Sequence, residues 1–208
     1  MQYFFTFLLG IVLSFLGQLP LGTISMTATQ IAVQENFRNA WKYAAGIALV
    51  EMIYLRLVLS GMQWVISHPL VFFIFNWITI VLFATLGILS LIAAQKQETG
   101  KKALLLNYPL DRFLLGLSLS ALNPAQIPFW FIWSGYFINM GLLKTGFSEF
   151  NFFTLGSGVG TMGGLIVYMY GGNWMVTKMK TSNRTLNKLM GFIFIVAAVV
   201  QLVRTLRP

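Results

Sequence analysis

GQLPLGTISMTATQ, residues 17–30, follows the apolar run QYFFTFLLGIVLSFL, residues 2–16. Pro20 and Gly22 interrupt it, and Thr23, Ser25, Thr27, Thr29 and Gln30 come next. Either a membrane segment ends here, or a helix is broken and polar inside the bilayer. Length favours the second reading: residues 2–34 as one straight helix would measure about 50 Å, more than the ~45 Å of a whole bilayer. Such a segment must tilt, bend or break.

The rest of the chain is of the same kind. Of 208 residues, 57% are hydrophobic and 9% charged, far below the share of a globular domain. The formal charge of +9 comes from 14 Lys and Arg against 5 acids. These bases lie between apolar runs, so they read as loops facing anionic lipid and not as a nucleic-acid surface. The chain has no cysteine, which removes disulfides, thiolate metal sites and thiol nucleophiles. The composition predicts an all-α integral membrane protein with no cofactor, no metal site and no catalytic residue. The first run has no basic leader before it and no small-x-small site after it, and it reads as a retained span.

Runs long enough to span about 30 Å of hydrocarbon fall near residues 2–22, 41–64, 69–94, 111–143, 150–175 and 186–204. That pattern predicts six transmembrane helices in one transporter domain, 1–208. The polar stretch 95–110 divides it into repeat 1, about 1–94, and repeat 2, about 111–208. Three spans in each half would make the halves inverted repeats, as in many secondary transporters. Both halves open on a long proline-bearing run, with Pro20 in the first and Pro124 and Pro128 in the second, and Ser14 and Ser118 each lie six residues before the first proline.

Alternate loops differ in charge. One side holds Arg38, Lys42, Lys96, Lys101, Lys102, Arg112, Lys178, Lys180, Arg184 and Lys188; the other holds Lys144, Arg204 and Arg207. The richer side is expected in the cytoplasm, with both termini outside. Trp41, Trp64 and Trp174 fall near span ends.

A proline in a helix leaves the carbonyl four residues earlier without a donor. Pro20 orphans Leu16, Pro124 orphans Ser120, and Pro128 adds a second gap at Pro124. Lipid satisfies no such group, so breaks flanked by Gln18 and Thr23, and by Asn123 and Gln126, suggest a site lined by protein, water or solute. Thr23, Thr27, Gln30 and Gln34 share one helical face, open to water, to another helix or to bonds back onto their own backbone. The helix starts beyond both breaks carry free amides that suit a carboxylate.

Glu51 stands in the middle of the second span, where an ionised carboxylate is expensive and generally functional. It is a candidate for a substrate ammonium or a proton. Arg56 is about 140° round the helix and about 7.5 Å along it, a poor partner for Glu51, and reads as a side chain reaching for the interface. Gly156, Gly160 and Gly164 form a groove for a neighbouring helix, within the chain or in a homo-oligomer. His68 lies in the SHPL turn without a second ligand or nucleophile.

These stretches together resemble the LysE (lysine exporter, RhtB-type) transporter family. The resemblance rests on LPLGTISMTATQIAVQENFRNAWKYAAGIALVE, SHPLVFFIFNWITIVLFATLGILSL, FLLGLSLSALNPAQIPFWF and the closing LNKLMGFIFIVAAVVQLV. It implies an exporter of amino acids or their analogues in the bacterial inner membrane, driven by protons. Two features depart from the family pattern: Pro20-Leu21-Gly22-Thr23 replaces a P-G-P followed by an acid or amide, and Glu51 replaces a residue that is usually uncharged or differently placed. The site candidates are Gln18, Pro20, Gly22, Thr23, Thr27, Gln30, Glu51, Asn123, Pro124 and Gln126, the partners a small-molecule substrate and membrane lipid. An alternative is an exporter of a cation or other small solute, but one buried carboxylate without cysteine makes a thin metal site.

Overall fold

The computed structural model describes residues 2–19, 22–95, 110–123 and 126–206. Pro20, Pro124, Arg207 and the central loop with Lys96, Lys101 and Lys102 lie outside the described residues, as do the side chains of Trp174, Lys178, Lys180, Arg184 and Arg204. Every element among the described residues is a helix: α1 (Gln2–Gln18), α2 (Thr23–Gln34), α3 (Phe37–Ser67), α4 (Pro69–Gln95), α5 (Arg112–Ala121), α6 (Gln126–Asn139) and α7 (Phe147–Leu206).

The helix ends follow local chemistry. The Asn36 side chain caps α3 by accepting from the Asn39 amide at 2.8 Å. Asp111 caps α5 through the Phe113 amide at 2.9 Å. Pro69 opens α4 at the first position, where its missing N–H costs nothing. The same rule corrects the expectation for Pro128: it sits in the first turn of α6 and opens no second gap.

Both expected breaks are present. The axes of α1 and α2 meet at 83°, and the run expected as one span over 111–143 is divided into α5 and α6. The two orphaned carbonyls are met by tight turns. Leu16 O accepts from Leu19 N at 3.2 Å, and Ser120 O from Asn123 N at 3.1 Å. Tyrosines of other helices hold a carbonyl beside each break: Tyr168 donates to Leu19 O, and Tyr54 to Ala121 O at 2.9 Å.

Among the described residues three helical stretches are long and apolar enough to cross a membrane: Phe37–Met62, Pro69–Ile92 and Phe147–Gly171. A fourth is gained if the bent α1–α2 pair counts as one span. Arg112–Ala121 and Phe194–Val203 are shorter apolar helices. The spans expected near 150–175 and 186–204 both fall within α7, as its two arms. A straight helix of its 60 residues would be about 90 Å long. Yet the Trp130 ring lies 6.3 Å from that of Phe153, and Ile132, two residues further, is buried with Ala198. Since α6 is only about 21 Å long, α7 must turn back between its arms.

Two helix pairs carry the closest packing. On α1, a Cβ at Gly10 would meet Phe153 O of α7, and one at Gly156 would meet Phe7 O. On α5, a Cβ at Gly116 would meet Tyr43 O of α3, and one at Gly46 would meet Phe113 O. In each pair the helices run parallel with backbone against backbone, which only glycine permits. Gly160 and Gly164 continue the first seam against Ile11 O and Phe15 O, so the groove on α7 is filled by α1 of the same chain.

The apolar core has two main clusters. One holds Leu55, Leu59, Trp130, Phe137 and Phe153; the other holds Ala28, Ile31, Tyr43, Ile47, Leu115 and Leu165. On α3, Ile47 belongs to one and Leu55 to the other. Glu51 falls between them.

Candidate functional site

Glu51 is 5% exposed, and its carboxylate lies where the two glycine-seamed pairs meet. The end of α1 supplies Gln18, whose Nε2 donates to Glu51 Oε1 at 2.5 Å. The start of α6 supplies Gln126, whose Nε2 lies 3.4 Å from the same oxygen and donates to Ser120 Oγ of α5 at 2.7 Å. Thr161 of α7 donates to Oε2. Ser14 Oγ is 2.7 Å from Thr161 Oγ1, which also has Ser157 O at 3.0 Å. A buried charge needs several such donors. Here they come from both broken helices and from the first arm of α7.

The expected site residues divide into two groups. Gln18, Glu51 and Gln126 are brought together, with Gln18 at the end of α1 and Gln126 at the start of α6. Gly22 and Thr23 are exposed at the start of α2, Thr27 donates to its own helix at Thr23 O, 2.7 Å away, and Asn123 is half-buried. Gln30 is half-buried with its Oε1 unpartnered. The polar face from Thr23 to Gln34 is therefore not one lining: Thr23 and Gln34 are exposed. The other polar face of α2 does the joining. Ser25 Oγ lies 3.4 Å from Gln18 O, and Thr29 Oγ1 3.1 Å from Tyr168 O.

Sequence reasoning missed Thr161 as a partner of Glu51, and Ser14, Ser120 and Ser157 as the groups that bond those partners. A signal existed for the α7 pair, since Thr154, Ser157 and Thr161 share a helical face, but the glycines of that stretch drew the reading. For the second half, Ser118 was matched with Ser14. The structure corrects this: Ser118 bonds its own helix at Leu114 O, 2.9 Å, while buried Ser120 reaches the site. The proline offset misled because helical depth at the seam is set by Gly10 and Gly116.

Arg56 does not reach Glu51. Its Nε donates to Asn151 Oδ1 at 3.2 Å and its Nη1 to Ser60 Oγ at 2.9 Å, with the guanidinium 5.3 Å from the Phe147 ring centre. His68 Nδ1 stays in its turn, 2.7 Å from Trp64 O. An apolar crevice of about 270 Å³ between α4, α6 and the second arm of α7, lined by Phe83, Ile132 and Val196, shares no residue with the shell of Glu51.

At the α2–α3 turn, charge ties the halves together. Arg112 grips Glu35 with two donors, at 2.5 and 3.1 Å, and Lys42 Nζ is 3.1 Å from Asp111 Oδ2. The Arg112 fork holds the Glu35 carboxyl below the ordinary carboxylate range. The Phe113 amide, and then Lys42, hold Asp111 below its own.

A family model described as LysE type translocator matches residues 15–205. No curated protein and no solved structure matches the chain. The chain belongs to the LysE type translocator family, and is a multi-pass membrane protein that moves small solutes.

Proposed function

We propose that this LysE-type translocator exports amino acids or amino-acid-like solutes across the bacterial inner membrane, coupled to protons through Glu51. The observation that carries the reading is the Glu51 carboxylate, buried between two apolar clusters and held by side chains at the ends of both broken helices. A polar layer between two apolar plugs is what alternating access needs, since either plug can open while the other stays closed. The amides at the start of α6 suit a substrate carboxylate.

The hydrogen bonds around Oε2 accommodate both protonation states. With Glu51 ionised, Thr161 donates to Oε2 and accepts from Ser14. With Glu51 protonated, Oε2–H donates to Thr161, whose own proton turns to Ser157 O at 3.0 Å. No heavy atom has to move. Oε1 keeps its amide donors in both states. The shell of Glu51 is made of amides and hydroxyls, a donor set for a proton or an organic solute more than for a metal ion.

The six-span, inverted-repeat architecture is part of the same proposal. Phe7, Gly10 and Ser14 face Phe153, Gly156 and Thr161 with the spacing by which Phe113, Gly116 and Ser120 face Tyr43, Gly46 and Glu51. The placement of Lys42 and Arg112 at one end and of Lys144, bonded to Gln2, at the other supports an orientation with both termini outside.

Proteoliposomes containing the full chain test the reading with a panel of labelled amino acids, with and without a pH gradient. Gradient-dependent movement of at least one amino acid is expected; movement of none sinks the proposal. Glu51→Gln keeps the acceptor at Oε1 but cannot cycle a proton, so gradient-driven movement should fall to background while exchange of solute for solute persists. Unchanged gradient-driven export by that variant would remove Glu51 from coupling.

A further inference from the structure

Gln126 is used by the fold on one side only. Its Nε2 is committed to Ser120 Oγ at 2.7 Å and approaches Glu51 Oε1 at 3.4 Å. Its Oε1 is buried without a hydrogen-bond partner, in a side chain only 5% exposed. An unmet carbonyl in such a place costs on the order of a hydrogen bond's desolvation. Packing does not require it, because a thioether of similar size would fill the same space. Three features converge here: the anchoring of the amide by Ser120, the neighbouring Glu51 carboxylate, and the position of Gln126 as the first residue of α6.

Two acceptors side by side, one of them charged, want a ligand with several N–H donors and positive charge. An ammonium group supplies three donors. We infer that the Gln126 carbonyl is the specificity-determining acceptor for the substrate's ammonium group, with Glu51 beside it, so that the translocator distinguishes free amines from their acylated forms at this residue. The inference rests on the proposed amino-acid export and assigns a role within that site. Ser120 then acts as a positioning residue, since its hydroxyl fixes which way the amide faces. The geometry also separates two tasks on Glu51: Oε1 faces the amides, while Oε2 faces the Thr161–Ser14 hydroxyls that relay its proton.

The test uses the full chain in proteoliposomes with labelled leucine, threonine, methionine and lysine, each beside its Nα-acetyl derivative. The wild type should prefer the free amine. Gln126→Met, which keeps the volume and loses the acceptor together with the Nε2 donor, should lower kcat/KM for free amines by roughly tenfold, mostly through KM. Movement of the acetylated forms should change little, so discrimination narrows. Gln126→Met also removes the Nε2 donor to Ser120 Oγ, so its melting temperature in detergent should fall as far as that of Ser120→Ala, which loses the same bond. Ser120→Ala, which frees the amide to rotate, should shift KM in the same direction by less, and decides the matter if Gln126→Met does not assemble. Free-amine export with unchanged KM and undiminished discrimination in both variants overturns the inference and leaves amino-acid export standing. A wild type that moves no amino acid overturns the export reading, and this assignment with it.

Discussion

The α1–α7 pair and the α3–α5 pair are the same device put to different uses. Each is a parallel pair with a reciprocal glycine contact, Gly10 and Gly156 in the first and Gly46 and Gly116 in the second, and the first extends its seam with Gly160 and Gly164. Each presents a polar residue four positions beyond the seam on α1 or α5, Ser14 or Ser120. The difference lies in what stands opposite. The first pair offers Thr161 and closes the contact directly at 2.7 Å. The second offers Glu51 and inserts Gln126 between it and Ser120. Close backbone packing repeats the scaffold; the carboxylate is placed in one copy alone. The ends differ as well. Charge locks the start of the second pair through Glu35–Arg112 and Lys42–Asp111, whereas the start of the first carries a Tyr3–Phe152 stack at 5.2 Å and the Lys144–Gln2 hydrogen bond.

The largest expected effect breaks the seams. Gly46→Ala and Gly156→Ala each drive a methyl group into a backbone carbonyl that has no room to shift, costing about 3 kcal/mol or more. Thermal melts in detergent should show losses of similar size, while Gly61→Ala, with nothing within 4 Å of the added methyl, should be neutral or stabilising by about 0.5–1 kcal/mol. A large loss at one seam and none at the other would end the comparison. A middle-sized effect is expected from charge inversion. Glu35→Arg should destabilise by about 1 kcal/mol, and adding Arg112→Glu should recover most of it.

The same pair has a pH signature. Because Arg112 lowers the Glu35 carboxyl in the fold, its stabilisation is fully present above the unfolded value of about 4.3 and drains away as the pH falls through the folded value. Melting temperatures of wild type and Glu35→Gln should converge on acidification from neutral pH. Divergence on acidification would contradict the assignment. The smallest effect belongs to the other end: Lys144→Ala removes an exposed bond to Gln2 and should change stability by no more than about 0.5 kcal/mol. A loss as large as that of Glu35→Arg would mean the two ends are held alike.

Much of the fold and of the site is legible in the sequence. The breaks after Gln18 and before Gln126 follow from proline chemistry and excess length, and Glu51 stands out as a carboxylate inside an apolar run. The carbonyls orphaned by proline were identified, Leu16 and Ser120, though not the turns that rescue them. The mismatch at Ser118 shows where sequence reasoning loses its grip. Counting from the prolines aligned the breaks, while the helices are aligned by their glycines, and the two countings differ by two residues. On a helix that is over half a turn, enough to move a hydroxyl from the site to the outer face.

By itself the sequence determined that the chain is helical and belongs in a membrane, that two of its helices break, and that one carboxylate is buried in a span. Those are consequences of composition, run length and ring chemistry, all local. Only the tertiary structure decided which groups surround that carboxylate. Ser14, Gln18, Ser120, Gln126 and Thr161 come from four helices, and their meeting depends on the depth and rotation at which those helices pack. Backbone contact through glycine sets both, and a glycine does not announce which carbonyl it will receive.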